Sequence, residues 1–351
     1  MTSILLAIAG VLALAIAASL GFVALRRRAV ARTLALPPAG INEQGYVRIG
    51  GVDQWVQIRG TDRSNPVLLW LHPHGASMIP LTPLHLAWEQ HFTVVHWDRR
   101  TVGRTRRAPN HGTEADWTFD RFITDGIELV EYLQKRLGVD QVTLAAHSQG
   151  TVVGLGMARR RPDLIRAYVG MGQMADMARN TSIVYDRVLA ATRAAGRRSV
   201  TGKLVQLGPP PYSDRIGWMR LLQYTMEVDA EAKAWRNVSI IRTLLTPGYS
   251  VRDILGWFSD IMAFPQHLYE ETVAVTPDTL GTTFEVPILV LQGADDGFAI
   301  PDLARQYVDS IEAPAKAYVA QEGLGHLAPF LFPDRILSAF TALVRREESR
   351  G

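Results

Sequence analysis

Residues 141–158 constrain this chain more than any other stretch, because a buried strand there runs straight into a helix with a serine at the junction. Gln141-Val142-Thr143-Leu144-Ala145-Ala146 is a short apolar run with β-branched residues, launched by Gly138-Val139-Asp140. Thr151-Val152-Val153-Gly154-Leu155-Gly156-Met157-Ala158 is small and apolar, and gives way to Arg159-Arg160-Arg161-Pro162. A serine on so sharp a turn is strained and needs small neighbours, and the first N–H groups of the following helix point where an oxyanion would develop. Ala146-His147-Ser148-Gln149-Gly150 meets those demands, with Ala146 where glycine is usual. His147 reads as a spacer in the turn, not as a base.

A hydroxyl is a poor nucleophile until a base removes its proton, so this turn predicts an acid and a histidine later in the chain. Val286-Pro287-Ile288-Leu289-Val290-Leu291 reads as another buried strand, ending in Gln292-Gly293-Ala294-Asp295-Asp296-Gly297. Gly323-Leu324-Gly325-His326 then places a histidine on a glycine loop before an apolar helix. The expected roles are Ser148 as nucleophile, His326 as base and Asp296 as the acid that fixes the histidine tautomer. Asp295 is the alternative acid; the G-x-x-D spacing from Gly293 favours Asp296.

In these and further motifs the chain resembles the α/β-hydrolase family, in its proline iminopeptidase-like (prolyl aminopeptidase) branch, from about Asn42 to Arg335. The motifs are Gly45-Tyr46-Val47-Arg48-Ile49-Gly50-Gly51-Val52, Asn65-Pro66-Val67-Leu68-Leu69-Trp70-Leu71-His72 and Trp97-Asp98-Arg99-Arg100-Thr101-Val102-Gly103-Arg104-Thr105. Gly170-Met171-Gly172-Gln173 and Glu312-Ala313-Pro314 continue them. The resemblance implies a serine hydrolase acting on a small amide or ester. Two departures stand out. The family's His-Gly-Gly-Pro-Gly oxyanion loop is His72-Pro73-His74-Gly75-Ala76-Ser77 here. Proline has no N–H to give, so the backbone of His74 or Gly75 is left to pair with that of Gln149. Second, the family's amine-binding glutamate after Ala-Lys-x-Trp is replaced: Ala232-Lys233-Ala234-Trp235 leads to Ser239 at that place.

Strands are expected at 45–49, 54–59, 67–71, 93–97, 142–146, 167–171, 288–292 and 317–320, with a helix at 120–137 whose Ile123, Ile127, Val130, Leu133 and Leu137 recur at helical spacing. Strands alternating with helices give an α/β fold: a mostly parallel eight-stranded sheet with helices on both faces, its ligands at the strands' carboxyl ends. His72, Asp98, Ser148, Asp296 and His326 all fall there. Asp98 reads as a loop-fixing residue. From 176 to 283 strand signals vanish and helical segments such as 216–228 and 251–263 dominate, which reads as an inserted helical cap. The division expected is 1–40 anchor and linker, 41–175 first part of the core, 176–283 cap and 284–351 second part. Trp218, Met219, Trp235, Trp257, Phe258 and Phe264 are candidates to line an apolar pocket, with Trp218, Trp235 and Ser239 taken as substrate-binding. Glu227, Asp229, Glu231, Glu270 and Glu271 are candidate amine binders, each weighed against a solvated helix face.

Residues 4–25 are uncharged and mostly apolar, long enough to span a bilayer. No basic residue precedes them, as a secretory signal requires, although Ala15-Ile16-Ala17-Ala18 offers a cleavage site. Arg26, Arg27, Arg28 and Arg32 follow, so the expectation is a retained single-pass anchor with the main domain cytoplasmic. These four arginines account for the formal net charge of +3, and no surface for nucleic acid is indicated. Cysteine is absent, so there is no disulfide framework. No cofactor is expected. A metal-dependent reading of His72-Pro73-His74 lacks further clustered ligands, and dehalogenase-type chemistry on this fold needs an aspartate where Ser148 stands. A binding protein with weakened catalysis is the alternative to a small-molecule or short-peptide hydrolase. Oligomeric state is not readable.

Overall fold

A computed structural model describes residues 2–75 and 77–348. Eight strands form one sheet: β1 Ile41–Ile49, β2 Val52–Gly60, β3 Val67–Leu71, β4 Thr93–Asp98, β5 Val142–His147, β6 Ile165–Met171, β7 Ile288–Gly293 and β8 Lys316–Gln321, in the order β1-β2-β4-β3-β5-β6-β7-β8. β1 and β2 pair antiparallel, as do β2 and β4, and every later pairing is parallel. β3, β5 and β7 are buried along their whole length, as continuous apolar runs in a parallel sheet should be. β1 starts four residues before its sequence signal. Ile41-Asn42-Glu43-Gln44 is mostly polar, but the antiparallel register pairing Ile41 with Gly60 extends the edge strand over it.

The chain crosses from β3 to one side and from β5 to the other, so a crevice opens beyond the carboxyl ends of these neighbours. Helix Phe119–Leu137 starts where the Thr118 side chain accepts from Arg121 N and stops at Gly138, whose φ of 70° is the left-handed cap glycine provides. It buries Phe122, Leu129, Val130 and Leu133 against the sheet, and helix Gln149–Arg160 packs beside it. After β8, helix Pro333–Glu348 closes the other face with Ile336, Leu337 and Phe340.

Between β6 and β7 runs a series of helices: Met177–Ala194, Arg198–Leu207, Arg215–Val228, Ala230–Leu245, Val251–Ile261, Gln266–Val273 and Pro277–Leu280. The fifth stops at Ile261, two residues before its sequence signal, because Met262 and Ala263 close onto Ser259 and Asp260 in a tighter turn. These helices lie over the crevice and are called the cap below.

Helix Thr2–Thr33 precedes the sheet. Its segment Gly10–Thr33 has mean hydropathy 1.6 and none of it is buried. It is long and apolar enough to cross a membrane, a property that signal sequences share. Its basic end reaches the cap, where Arg27 Nε donates to the Leu244 carbonyl at 2.9 Å.

Candidate active site

Ser148 sits between β5 and helix Gln149–Arg160 with φ 53° and ψ −122°, the one non-glycine residue at positive φ among those described. That conformation costs a side-chain-bearing residue about 1–3 kcal/mol. It persists because both sides of the turn are fixed: Ser148 N donates to the Met171 carbonyl at 3.0 Å, and Thr151 N returns to the Ser148 carbonyl at 2.8 Å. Gly150 must be glycine, since a Cβ there would stand 2.2 Å from the Leu71 carbonyl oxygen. This close approach brings the start of the helix, with its unpaired first N–H groups, beside the loop that leaves β3.

His326 and Asp296 meet beside it. His326 Nδ1 lies 2.8 Å from Asp296 Oδ2. Asp296 is fully buried, and its Oδ1 accepts from Phe298 N and Ala299 N at 2.8 Å each, while Gln292 Nε2 donates to Oδ2 at 2.9 Å. With its oxygens so engaged the carboxylate holds one orientation, and Nδ1 bears the proton it accepts. Burial alone would depress the His326 pKa. The Asp296 charge and hydrogen bond, with Asp229 and Glu231 further off, outweigh it and leave the pKa raised. Asp295 is exposed, with its backbone N on the Leu324 carbonyl, and makes no such contact. His147 is buried and its Nε2 donates to the His326 carbonyl at 2.8 Å. Burial and the His326 charge hold its pKa well below the usual imidazole value, so it is a neutral spacer.

Ser148 and His326 line one cavity of about 270 Å³. Trp218, Leu221, Trp235, Trp257 and Ile261 of the cap wall it, with Phe298 and Phe330 from the core. Among the described residues its lining contains no Asp, Glu, Lys or Arg. Trp218 and Trp235, read from the sequence as substrate-binding, are in this wall. Ser239 does not: it is buried in its cap helix, donates to the Arg236 carbonyl at 3.2 Å and is absent from the cavity wall. Met219 and Phe264 are also outside the wall, and the Phe258 side chain lies outside the described residues. The candidate amine binders are occupied elsewhere. Asp229 caps its helix at Ala232 N, Glu271 accepts from Phe119 N at 2.7 Å, Glu270 from Gln266 Nε2, and Glu227 pairs with Arg197.

This cradle of sheet, strained serine turn and His–Asp pair coincides with a matched family model: residues 75–333 fit the alpha/beta hydrolase fold. The chain belongs to the α/β-hydrolase family. It is 26% identical over 287 residues to a probable aminopeptidase of Bacillus subtilis (strain 168), covering 79% of this chain and 88% of that protein. Among solved structures it is similar to a proline iminopeptidase-related protein from Thermus thermophilus, with TM-score 0.58, 21% identity and coverage of 86% and 96% of the two chains. It is also similar to a membrane phospholipase A described as a bacterial virulence factor, with TM-score 0.57, 16% identity and 99% of each chain covered.

In this α/β-hydrolase two further side chains support the site, in roles their sequence context does not reveal. Glu231, on cap helix Ala230–Leu245, accepts from Gly325 N at 2.7 Å and Leu327 N at 2.9 Å, gripping the loop on both sides of His326. Arg99, after β4, is fully buried and has no carboxylate partner among the described residues. Its guanidinium donates to His72 Nε2 at 3.2 Å, the His72 carbonyl at 2.9 Å and Gln149 Oε1 at 3.4 Å, and burial lowers its pKa to about 9. One cation thus ties the loop after β3 to the start of the serine helix. Gly75 in that loop has φ 87° and lies under the Ile261 backbone, where a Cβ would come 3.1 Å from Ile261 Cα. The His74 ring packs with its centroid 4.5 Å from that of Phe264 and also lines the cavity. Asp98 turns away, its Oδ2 accepting from Arg104 N at 2.8 Å, and so holds the loop that carries Arg99.

Proposed function

We propose that this hydrolase is a serine enzyme that cleaves an ester or amide of an uncharged, apolar acyl group through an acyl-enzyme, anchored by its N-terminal helix with the domain on the cytoplasmic side. The observation that carries the reading is the His326–Asp296 pair sharing with strained Ser148 a cavity whose wall has no carboxylate. Ser148 Oγ attacks the carbonyl carbon as His326 Nε2 takes its proton, and Asp296 stabilises the imidazolium. The carbonyl electron pair moves onto oxygen, which is met by the Gln149 N–H and by an N–H of the loop after β3 at His74 or Gly75. Collapse expels the leaving group, which receives the proton from His326. Water then repeats the sequence, releasing the acid and restoring Ser148.

The base must be neutral, and its pKa is raised above 6.5. Lowering the pH through that raised value protonates His326 and removes activity. The acidic limb of kcat/KM against pH is expected above 6.5 in the free enzyme; a limb well below it would contradict the His326–Asp296 coupling.

The cavity wall also predicts substrate preference. Burying an unpaired ammonium costs several kcal/mol, and Glu231, the acid that touches the histidine loop, spends both oxygens on backbone N–H groups. A medium-chain aryl ester and an N-acylated aminoacyl arylamide should exceed the free-amine arylamide in kcat/KM by about a hundredfold. Strong preference for a free N-terminal proline, lost on changing one cap glutamate, would establish an aminopeptidase instead.

A further inference from the structure

A second cavity, of about 310 Å³, shares no lining residue with the Ser148 cavity and lies between the basic end of the N-terminal helix and the far end of cap helix Ala230–Leu245. Arg26 and Arg242 line it with apolar Val30, Ile241 and Leu245 and polar Asn237 and Thr246, and among the described residues its wall has no carboxylate. Neither guanidinium has a hydrogen-bond or ion-pair partner among the described residues. The third arginine, Arg27, is spent on holding the two helices together at Leu244. Arg26 and Arg242 are both exposed to solvent, and two cations on one groove without an acidic partner favour an anion between them. A guanidinium matches phosphate oxygens with two parallel N–H groups.

The depth of the groove points to the same ligand. Arg26 follows directly on the apolar run of residues 4–25, which places it where hydrocarbon gives way to headgroups. Ile241 and Leu244 are exposed, and Val251, Leu255 and Met262 form an exposed apolar stripe at helical spacing along the next cap helix and its end. We propose that this groove binds the headgroup of an anionic phospholipid of the host bilayer, its phosphate between Arg26 and Arg242. This rests on the bilayer placement proposed above but not on the Ser148 chemistry.

The test uses the full chain in a neutral detergent, titrated with dioctanoyl phosphatidylglycerol, dioctanoyl phosphatidylcholine or inorganic phosphate and followed by thermal shift and native mass spectrometry. Phosphatidylglycerol should bind saturably and at least tenfold tighter than phosphatidylcholine. Arg26→Gln and Arg242→Gln should each weaken it about fivefold, the contribution usual for one basic residue at a membrane surface. Arg242→Lys should keep most of the affinity, and Arg28→Gln, exposed and outside the groove, should keep all of it. Equal binding of phosphatidylcholine, equal stabilisation by inorganic phosphate, or indifference to both glutamine variants would each overturn the proposal. Ser148→Ala should bind as wild type does, so loss of the hydrolase reading leaves this result standing. Carbonate washing of membranes reads the bilayer placement separately: release of the chain contradicts that placement.

Discussion

Asp296→Asn is expected to lower kcat by about 10⁴ with the fold intact, while Asp295→Asn stays near wild type. The contrast comes from position. Asp296 is fully buried and fixes the Nδ1 proton of His326 across 2.8 Å. An asparagine would still accept from Phe298 N and Ala299 N, which keeps the loop in place although the Gln292 Nε2 hydrogen bond to Oδ2 is lost. Its amide N–H facing Nδ1 would turn the tautomer over and put the proton on Nε2, where Ser148 needs an acceptor. The neighbouring Asp295 is exposed and touches none of this. Steady-state kinetics on both variants, with circular dichroism to confirm folding, decide it; equal effects would place the acid elsewhere.

Replacing Ser148 should separate activity from stability. Alanine removes the nucleophile and should cut turnover by at least about 10⁴, yet it retains a Cβ at φ 53° and so leaves the strain in place. Glycine removes both. Ser148→Gly should be equally inactive but more stable than Ser148→Ala by about 1 kcal/mol, the strain relieved being offset in part by the greater entropy of an unfolded glycine. Denaturant unfolding of the two variants measures the difference. A less stable glycine variant would show that the turn is not strained.

The elements most legible in the sequence are those whose signal is local. Continuous apolar runs mark β3, β5 and β7 because both sheet faces are covered, and the small residues around Ser148 are dictated by the turn itself. His326 and Asp296 are legible because each follows a strand, which delivers it to one edge of the sheet. The G-x-x-D spacing favours Asp296 over Asp295, while the burial that separates these adjacent residues exists only once the loop is folded. Ser239 misleads because alignment to an Ala-Lys-x-Trp segment fixes a place along a helix but not the face it presents. Glu231 reads as a free cap carboxylate, whereas its partners are backbone N–H groups 94 and 96 residues away. Arg99 is hidden inside an ordinary Asp-Arg-Arg run, and only the packing of β3 against β5 reveals that it joins two loops. The start of β1 escapes the pattern since an edge strand can be polar.

The most direct measurement is covalent labelling of the purified full chain with a fluorophosphonate, followed by peptide mass spectrometry. The account predicts a single adduct on the peptide containing Ser148, absent in Ser148→Ala and much slowed in Asp296→Asn. A folded wild-type chain that takes up no label, or one labelled equally in Ser148→Ala, would contradict it.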